Sequence, residues 1–196
     1  MSVPLVRIGD LAEQVRGVTY SKADASKTPK PGFLPVLRAG NITDSGLIFD
    51  DLVYVPERRI SAKQRVRAND LVVAASSGSL DVVGKAAPAK HDFSGGFGAF
   101  CKVLRPNAKV HATYFAQFFK TQDYRRRVSA LAAGANINNL RNEHLDEMLV
   151  PLPPLAAQRR IADILDKADA LRAQRRAALA ELDTLTHRPT RTVAFR

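Results

Sequence analysis

Residues 151–185 read PLPPLAAQRRIADILDKADALRAQRRAALAELDTL, a proline-rich elbow followed by a long stretch that contains neither glycine nor further proline. Apolar residues recur there at alternating spacings of three and four, which predicts an α-helix with a coiled-coil seam. The predicted seam consists of Ile161, Ile164, Leu165, Ala168, Leu171, Arg175, Ala178, Leu182 and Leu185, with Arg175 as its polar position. A helix of about 25 residues is roughly 37 Å long, so we expect the seam to pair with another helix. The alternative is a helix that folds back on its own core.

The rest of the chain has the composition of a basic globular domain. The 196 residues carry a net charge of +11, and residues 1–154 hold 21 Lys and Arg against 14 Asp and Glu. Such a domain favours a polyanionic partner, with a generic basic surface as the alternative. One cysteine, Cys101, excludes an intramolecular disulfide and fits the cytoplasm. No apolar leader or membrane-length apolar run is present, which predicts a protein that is neither exported nor inserted in a membrane.

The pattern of elements predicts an α+β fold: a mixed globular domain over residues 1–153, followed by one long coiled-coil-forming helix over 154–187 and a basic tail over 188–196. The aromatic residues Tyr114, Phe115, Phe118 and Phe119 are expected in the core. The predicted elements are a helix at 8–17, strands at 33–42, 47–55, 70–76, 81–87 and 99–104, a helical segment at 111–133, and a short helix around Glu143–Met148.

Catalytic signatures are missing from the sequence. There is no phosphate-binding loop of the G-x-x-x-x-G-K-[ST] type, and the four histidines show no metal-ligand spacing. The glycine-rich run SGGFGAF at 94–100 lacks a third glycine at the required place, so we interpret it as a turn between strands. We therefore expect a protein that is not an enzyme and that has no metal or cofactor.

Two loops combine small polar residues with cations, as a surface that binds DNA would. The first loop spans 76–91 and the second 134–141. Serine hydroxyls and lysines suit phosphates, asparagine amides can pair with adenine, and arginine can pair with guanine. The alternative is a pair of turns whose Ser and Asn side chains satisfy their own backbone. The candidates are Ser76, Ser77, Ser79, Lys85, Lys90, His91, Asn136, Asn138, Asn139 and Arg141.

Several segments resemble the specificity subunit of type I restriction–modification enzymes. They are VRIGDLAEQVRG, VLRAGNITDSGLIFDDLVYVPE, RVRANDLVVAASSGSLDVVGKAA, GANINNLRNEHLDEMLVPLPP and AAQRRIADILDKADALRAQRRAALAELDTL. The resemblance implies a domain that recognises half of a split site in double-stranded DNA. It also implies a helix that spaces two such domains and docks the methyltransferase subunit, with the restriction subunit as a further candidate partner. Arg38 and Asn41, in the segment VLRAGN, join the candidate DNA contacts.

The sequence departs from that family in two ways. Typical members carry two recognition domains and two long helices, whereas this sequence has one of each, and its tail 188–196 differs from the family pattern. We therefore expect two copies to pair antiparallel through the seam and to recognise a palindromic split site. Arg175 would then face an acid such as Asp166 or Asp169. The alternative is an adaptor or decoy that binds the methyltransferase subunit without directing DNA recognition.

Overall fold

The structure is a computed structural model that describes residues 3–133 and 139–186. It contains eleven strands and four α-helices in the described residues. The strands are β1 (Leu5–Arg7), β2 (Ala12–Arg16), β3 (Phe33–Leu37), β4 (Ile42–Thr43), β5 (Gly46–Leu47), β6 (Val53–Pro56), β7 (Leu71–Ala74), β8 (Ala86–Pro88), β9 (Gly96–Phe97), β10 (Cys101–Pro106) and β11 (Leu149–Pro151). The helices are α1 (Ala112–Phe118), α2 (Gln122–Ala133), α3 (Asn142–Asp146) and α4 (Leu155–Thr186).

A four-stranded antiparallel sheet in the order β2-β10-β7-β8 forms the centre of the globular part. Val103 of β10 lies between Val15 of β2 and Val72 of β7 in the register of the sheet. All four residues of β7 and the first four of β10 are buried. Burial on both faces explains why β7, Leu-Val-Val-Ala, is a continuous apolar run rather than an alternating one.

Three smaller sheets surround the central one. β3 pairs antiparallel with β6 and parallel with β9, and β4 and β5 form a short hairpin. β1 pairs antiparallel with β11, which is the strand directly before the long helix. Among the described residues, this ribbon joins the start of the globular part to its end.

The predicted helix over 8–17 is wrong. Ile8–Asp10 form one 3-10 turn, and Ala12–Arg16 form β2. Ile8, Leu11 and Val15 have helical spacing, but all three are buried as the chain runs along the edge of β10. Pairing with β10 therefore overrides the local helical pattern. The predicted strand at 81–87 is a turn over 81–84, and β8 begins only at Ala86.

The helical segment at 111–133 is divided into α1 and α2. Thr121 causes the break: its hydroxyl donates to the Phe118 carbonyl at 2.7 Å and accepts the Tyr124 amide at 3.2 Å. A side chain that bonds the backbone in this way favours a new helix start. Phe115 and Phe119 are buried with Tyr124 against the central sheet, as the prediction of core aromatics requires.

Helix α4 has 32 residues and is about 48 Å long. Its first turns lie on α1, where Gln158 and Ala162 are buried. Every residue from Ala170 to Thr184 is exposed. The helix therefore projects from the globular part, and the alternative of a helix folded back on its own core does not apply to its second half.

The predicted seam is largely solvent-exposed in the described residues. Ala168 is partly buried, and the side chain of Leu185 lies outside the described set. The exposed members are Ile161, Ile164, Leu165, Leu171, Arg175, Ala178 and Leu182. No helix in the described residues is long and apolar enough to cross a membrane.

Candidate nucleic-acid interface

The two loops that the sequence singled out meet at one end of the central sheet. Ser76 and Asn139 form an isolated antiparallel bridge, and the Leu140 amide donates to the Ala75 carbonyl at 2.7 Å. Ser76 lies two residues after the buried end of β7, and Asn139 precedes α3. The structure thus joins two segments that lie about sixty residues apart in the chain.

A cleft of about 320 Å³ opens where the loops meet, and we call it the basic cleft. Three of its lining residues, Arg16, Lys102 and Arg141, are cations, and Glu143 is the only acid among the described residues that line it. The full lining is Arg16, Ala75, Ala99, Cys101, Lys102, Asn139, Leu140, Arg141, Asn142 and Glu143. An excess of positive charge in a concave site attracts phosphate groups.

Lys102 forms the floor of the basic cleft. Its side chain is buried, and its Nζ donates to the Leu140 carbonyl at 2.7 Å. The pKa of Lys102 is lowered to about 8, chiefly because burial disfavours its charge; Glu143 and Asp146 act to raise it, and Arg16 acts to lower it. Neither Lys102 nor Arg16 is among the residues predicted from the sequence to contact DNA. The available signal was a lysine within the buried apolar run of β10, since lysine is rarely buried without a partner.

Cys101 lies in the wall of the same cleft without nucleophilic character. Its side chain is buried, and burial raises the pKa of the thiol to about 12. The thiolate is the reactive form of cysteine. At neutral pH the thiol therefore contributes packing rather than chemistry to the cleft.

Arg141 and Asn139 are the two predicted base-contacting residues on the rim of the cleft. Both are exposed, and the Arg141 amide donates to His144 Nδ1 at 3.3 Å at the start of α3. The backbone of Arg141 is thereby held while its guanidinium stays at the surface. The candidates Asn136 and Asn138 lie outside the described residues, as does the tail 188–196.

The serine candidates have different environments. Ser76 is partly buried, and its amide donates to the Phe100 carbonyl at 3.0 Å. Ser77 Oγ accepts a hydrogen bond from the Ser79 amide at 3.2 Å. At Ser77 the loop is therefore a turn whose side chain bonds its own backbone, which was the alternative to a DNA contact. Ser79 is exposed.

Lys85, Lys90 and His91 lie elsewhere. Lys85 is half-buried, with its Nζ 3.7 Å from the carboxylate of Asp44. Lys90 and His91 line a larger cleft of about 840 Å³ between the β4–β5 hairpin, the segment after β8, and helices α1 and α4. The described lining of that cleft includes the acids Asp44, Asp92, Asp166 and Asp169 and the cations Lys90 and Lys120. Four carboxylates make this larger cleft less suited to phosphate than the basic cleft.

Asn41 was predicted to contact DNA, but it is buried, and this corrects the prediction. Its side chain is 3% exposed; its Oδ1 accepts the Arg38 amide at 2.8 Å, and its Nδ2 donates to the Asp50 carbonyl at 2.8 Å. An amide used in this way shapes the loop between β3 and β4. Arg38 is partly exposed and donates to the Asp51 carboxylate at 2.6 Å.

Comparison with known proteins identifies the family. The family model described as "Type I restriction modification DNA specificity domain" matches residues 3–181. The chain is 44% identical over 152 residues to the type I restriction enzyme EcoKI specificity subunit of Escherichia coli (strain K12). It is 43% identical over 152 residues to the type I restriction enzyme StySPI specificity subunit of Salmonella potsdam. Each match covers 78% of this chain and 33% of the relative, so the chain spans about a third of the length of these curated relatives.

Solved structures share the fold at low sequence identity. A chain from a structure of the type I R-M system has a TM-score of 0.69 at 19% identity, covering 92% of this chain and 42% of that chain. The HsdS subunit from Thermoanaerobacter tengcongensis has a TM-score of 0.67 at 19% identity, covering 93% of this chain and 42% of its own. These similarities confirm the predicted α+β fold with its long C-terminal helix. The chain belongs to the family of type I restriction–modification DNA specificity domains.

Proposed function

We propose that the chain is the DNA-recognition subunit of a type I restriction–modification enzyme and that it recognises one half of a bipartite site in double-stranded DNA. The basic cleft carries this proposal, because two loops remote in sequence converge there with Arg16, Lys102 and Arg141. Its task is binding, and the chemistry belongs to a methyltransferase subunit. Acting on the cell's DNA places the protein in the cytoplasm.

Each side chain of the basic cleft has a distinct task in this proposal. Exposed Arg16 and buried Lys102 supply the charge that neutralises phosphates, and phosphate contacts position a protein on DNA without conveying sequence. Arg141 and Asn139 are exposed on the rim, where a guanidinium can pair with guanine and an amide with adenine. Specificity therefore depends on the rim, and affinity depends on the floor.

Assembly is assigned to α4. From Ala170 to Thr184 every residue of the helix is exposed, and its seam presents Leu171 and Leu182 to solvent. We propose that two copies pair antiparallel along this seam, which restores two recognition domains around a two-fold axis. The methyltransferase subunit, and with it the restriction subunit, would dock on this paired helix and the surfaces beside it.

An antiparallel register follows from the spacing of the seam. Placing Ile161 opposite Ala178 of a second copy also places Ala168 opposite Leu171, so each of these two layers combines one large and one small side chain. In this register Arg175 lies beside Ile164, about two turns from Asp169. The Asp169 carboxylate already accepts from Lys120 at 2.7 Å and Arg172 at 3.2 Å, so Arg175 would join an existing charge network.

Salt-dependent DNA binding tests the proposal. For Arg141→Ala we expect recognition at one base position to relax, at a cost of about 1–3 kcal/mol in binding free energy. The control is Lys109→Ala, an exposed cation beyond the opposite end of β10. Fluorescence anisotropy over a salt series measures the affinity and its salt dependence. Selection from a randomised duplex pool then measures the preference at each base position. Duplex binding that ignores salt, or an equal effect of the two variants, would contradict the proposal.

A further inference from the structure

Phe100 is the most exposed large apolar residue in the described part of the chain, with 69% of its surface accessible. No other described aromatic ring lies against it, whereas the exposed Phe49 packs on Phe93 with ring centroids 5.3 Å apart. Exposing a phenyl ring to water is unfavourable by itself. An aromatic ring held out in this way is a candidate binding element rather than part of the core.

The backbone beneath Phe100 is held rigidly. The Cys101 amide donates to the Gly98 carbonyl at 2.8 Å, which closes a turn, and the Phe100 carbonyl accepts the amides of Ala75 and Ser76 at 2.9 and 3.0 Å. The ring therefore projects from a fixed base, and binding it to a partner costs little conformational entropy.

The same turn is also held by close contacts of Gly98 with the backbone at Leu37 and Gly17. The Gly98 amide donates to the Leu37 carbonyl at 2.8 Å. A Cβ on Gly17 would lie 2.0 Å from the Gly98 carbonyl oxygen, so only glycine fits there. The run SGGFGAF is a turn only in part: Gly96–Phe97 form β9, and the turn that carries Phe100 follows at 98–101.

Phe100 stands directly beside the basic cleft. Its chain neighbours Ala99 and Cys101 both line the cleft, and the carbonyl of Phe100 is bonded to Ser76, which bridges to Asn139. A protein surface that docked here would have to desolvate Arg16 and Arg141, whereas a polyanion with apolar faces fits both the ring and the cations. Duplex DNA has that combination, since its bases are apolar on their faces and its backbone is charged.

We propose that Phe100 lays its ring against the face of a DNA base, at a base step that opens beside the basic cleft. This proposal rests on the proposed function and adds an apolar contact to it. Apolar side chains inserted between base steps are a known way to unstack and bend a duplex. Phe100 would thereby select target sequences by how easily they unstack, without a hydrogen bond to any base.

Two DNA probes and three variants test this proposal with the full chain. The probes are a fully paired duplex and the same duplex with one bulged base, and affinities are measured by fluorescence anisotropy over a salt series. We expect the wild type to prefer the bulged duplex, because its stack is already open. Phe100→Ala should lose that preference and bind the bulged probe about five- to one-hundred-fold more weakly. Its salt slope should equal that of the wild type, because phenylalanine carries no charge.

Phe100→Trp should retain the preference, and Phe49→Ala, an exposed phenylalanine in the lining of the larger cleft, should behave as the wild type. Thermal unfolding of each variant confirms that the fold is intact. Equal binding of both probes by wild type and Phe100→Ala would overturn the inference while leaving the proposed function in place. Loss of methyltransferase binding with unchanged DNA binding would overturn it in favour of a protein contact. Absence of salt-dependent duplex binding by the wild type would overturn both.

Discussion

Lys102 combines two roles that oppose each other at the level of a single residue. The proposed function uses its charge to bind phosphate in the basic cleft, but its burial penalises that charge, so its pKa falls from 10.5 to about 8. The hydrogen bond from Nζ to the Leu140 carbonyl at 2.7 Å keeps the side chain in place. The cleft therefore holds a cation at neutral pH at some expense to stability.

This expense has a defined pH dependence. Below pH 8 both the folded and the unfolded chain carry the Lys102 proton, and the folded state bears the full penalty of the buried charge. As pH rises from about 8 towards 10.5, the folded state loses the proton first, so the free energy of unfolding of the wild type should rise relative to Lys102→Met. Urea denaturation of both proteins across that range measures the difference. Parallel pH curves for the two proteins would contradict it, and Lys109→Met, at an exposed position, serves as the control.

At this scale the structure bears on where the predicted DNA contacts lie, and their role stays a prediction. The loops of Ser76, Asn139 and Arg141 were predicted from their residue types, and the structure brings them together. Lys102 was missed because the apolar run of β10 concealed it, and only tertiary packing places it in the cleft. Asn41 looked like a base contact because an amide in a loop has the same sequence signature whether it faces solvent or the backbone.

At the level of elements, the attachment of α4 explains why the helix is rigid at its base. Gln158 is buried; its Oε1 accepts the His111 amide at 2.8 Å, and its Nε2 donates to the Pro153 carbonyl at 2.8 Å. About three turns further along the helix, Lys120 Nζ lies 2.7 Å from Asp169 Oδ2, and this hydrogen bond lowers the pKa of the Asp169 carboxyl. These contacts fix the direction in which the helix leaves the globular part.

Two adjacent alanines of α4 test the pairing of helices. Ala178 lies on the predicted seam, and Ala177 points about 100° away from it; both are exposed in the described structure. We expect Ala178→Asp to dissociate the proposed dimer, because a carboxylate would be buried in an apolar layer, and Ala177→Asp to leave it intact. Sedimentation velocity at several concentrations measures the result. A wild type that stays monomeric at every concentration would eliminate the homodimer.

Long elements were predicted better than short ones. The helix over 154–187 was visible in the sequence because its heptads repeat four times, and the structure has α4 at Leu155–Thr186. The helix predicted at 8–17 is a 3-10 turn followed by a strand. Apolar residues spaced by one helical turn fit both arrangements. Only the partner strand β10, about ninety residues away, decides between the two.

At the level of the whole molecule, the proposed two-fold pairing predicts the symmetry of the DNA site. Two identical recognition domains should select a palindromic split site. Single-molecule sequencing of methylated bases in the source genome should show such a motif. A bipartite motif with two different halves would indicate pairing with a second, different subunit, and absence of any split motif would favour the adaptor or decoy.

The pairing of β1 with β11 has a consequence for how such proteins diversify. Leu5 lies opposite Pro151 and Arg7 opposite Leu149, so the strands by which the chain enters and leaves the globular part are immediate neighbours. A segment exchanged between these two strands would enter and leave the fold at one ribbon, so the exit towards α4 would keep its place. Under the proposed function, recombination at this ribbon would change the DNA sequence that is recognised in one genetic step and would keep the helix that serves assembly.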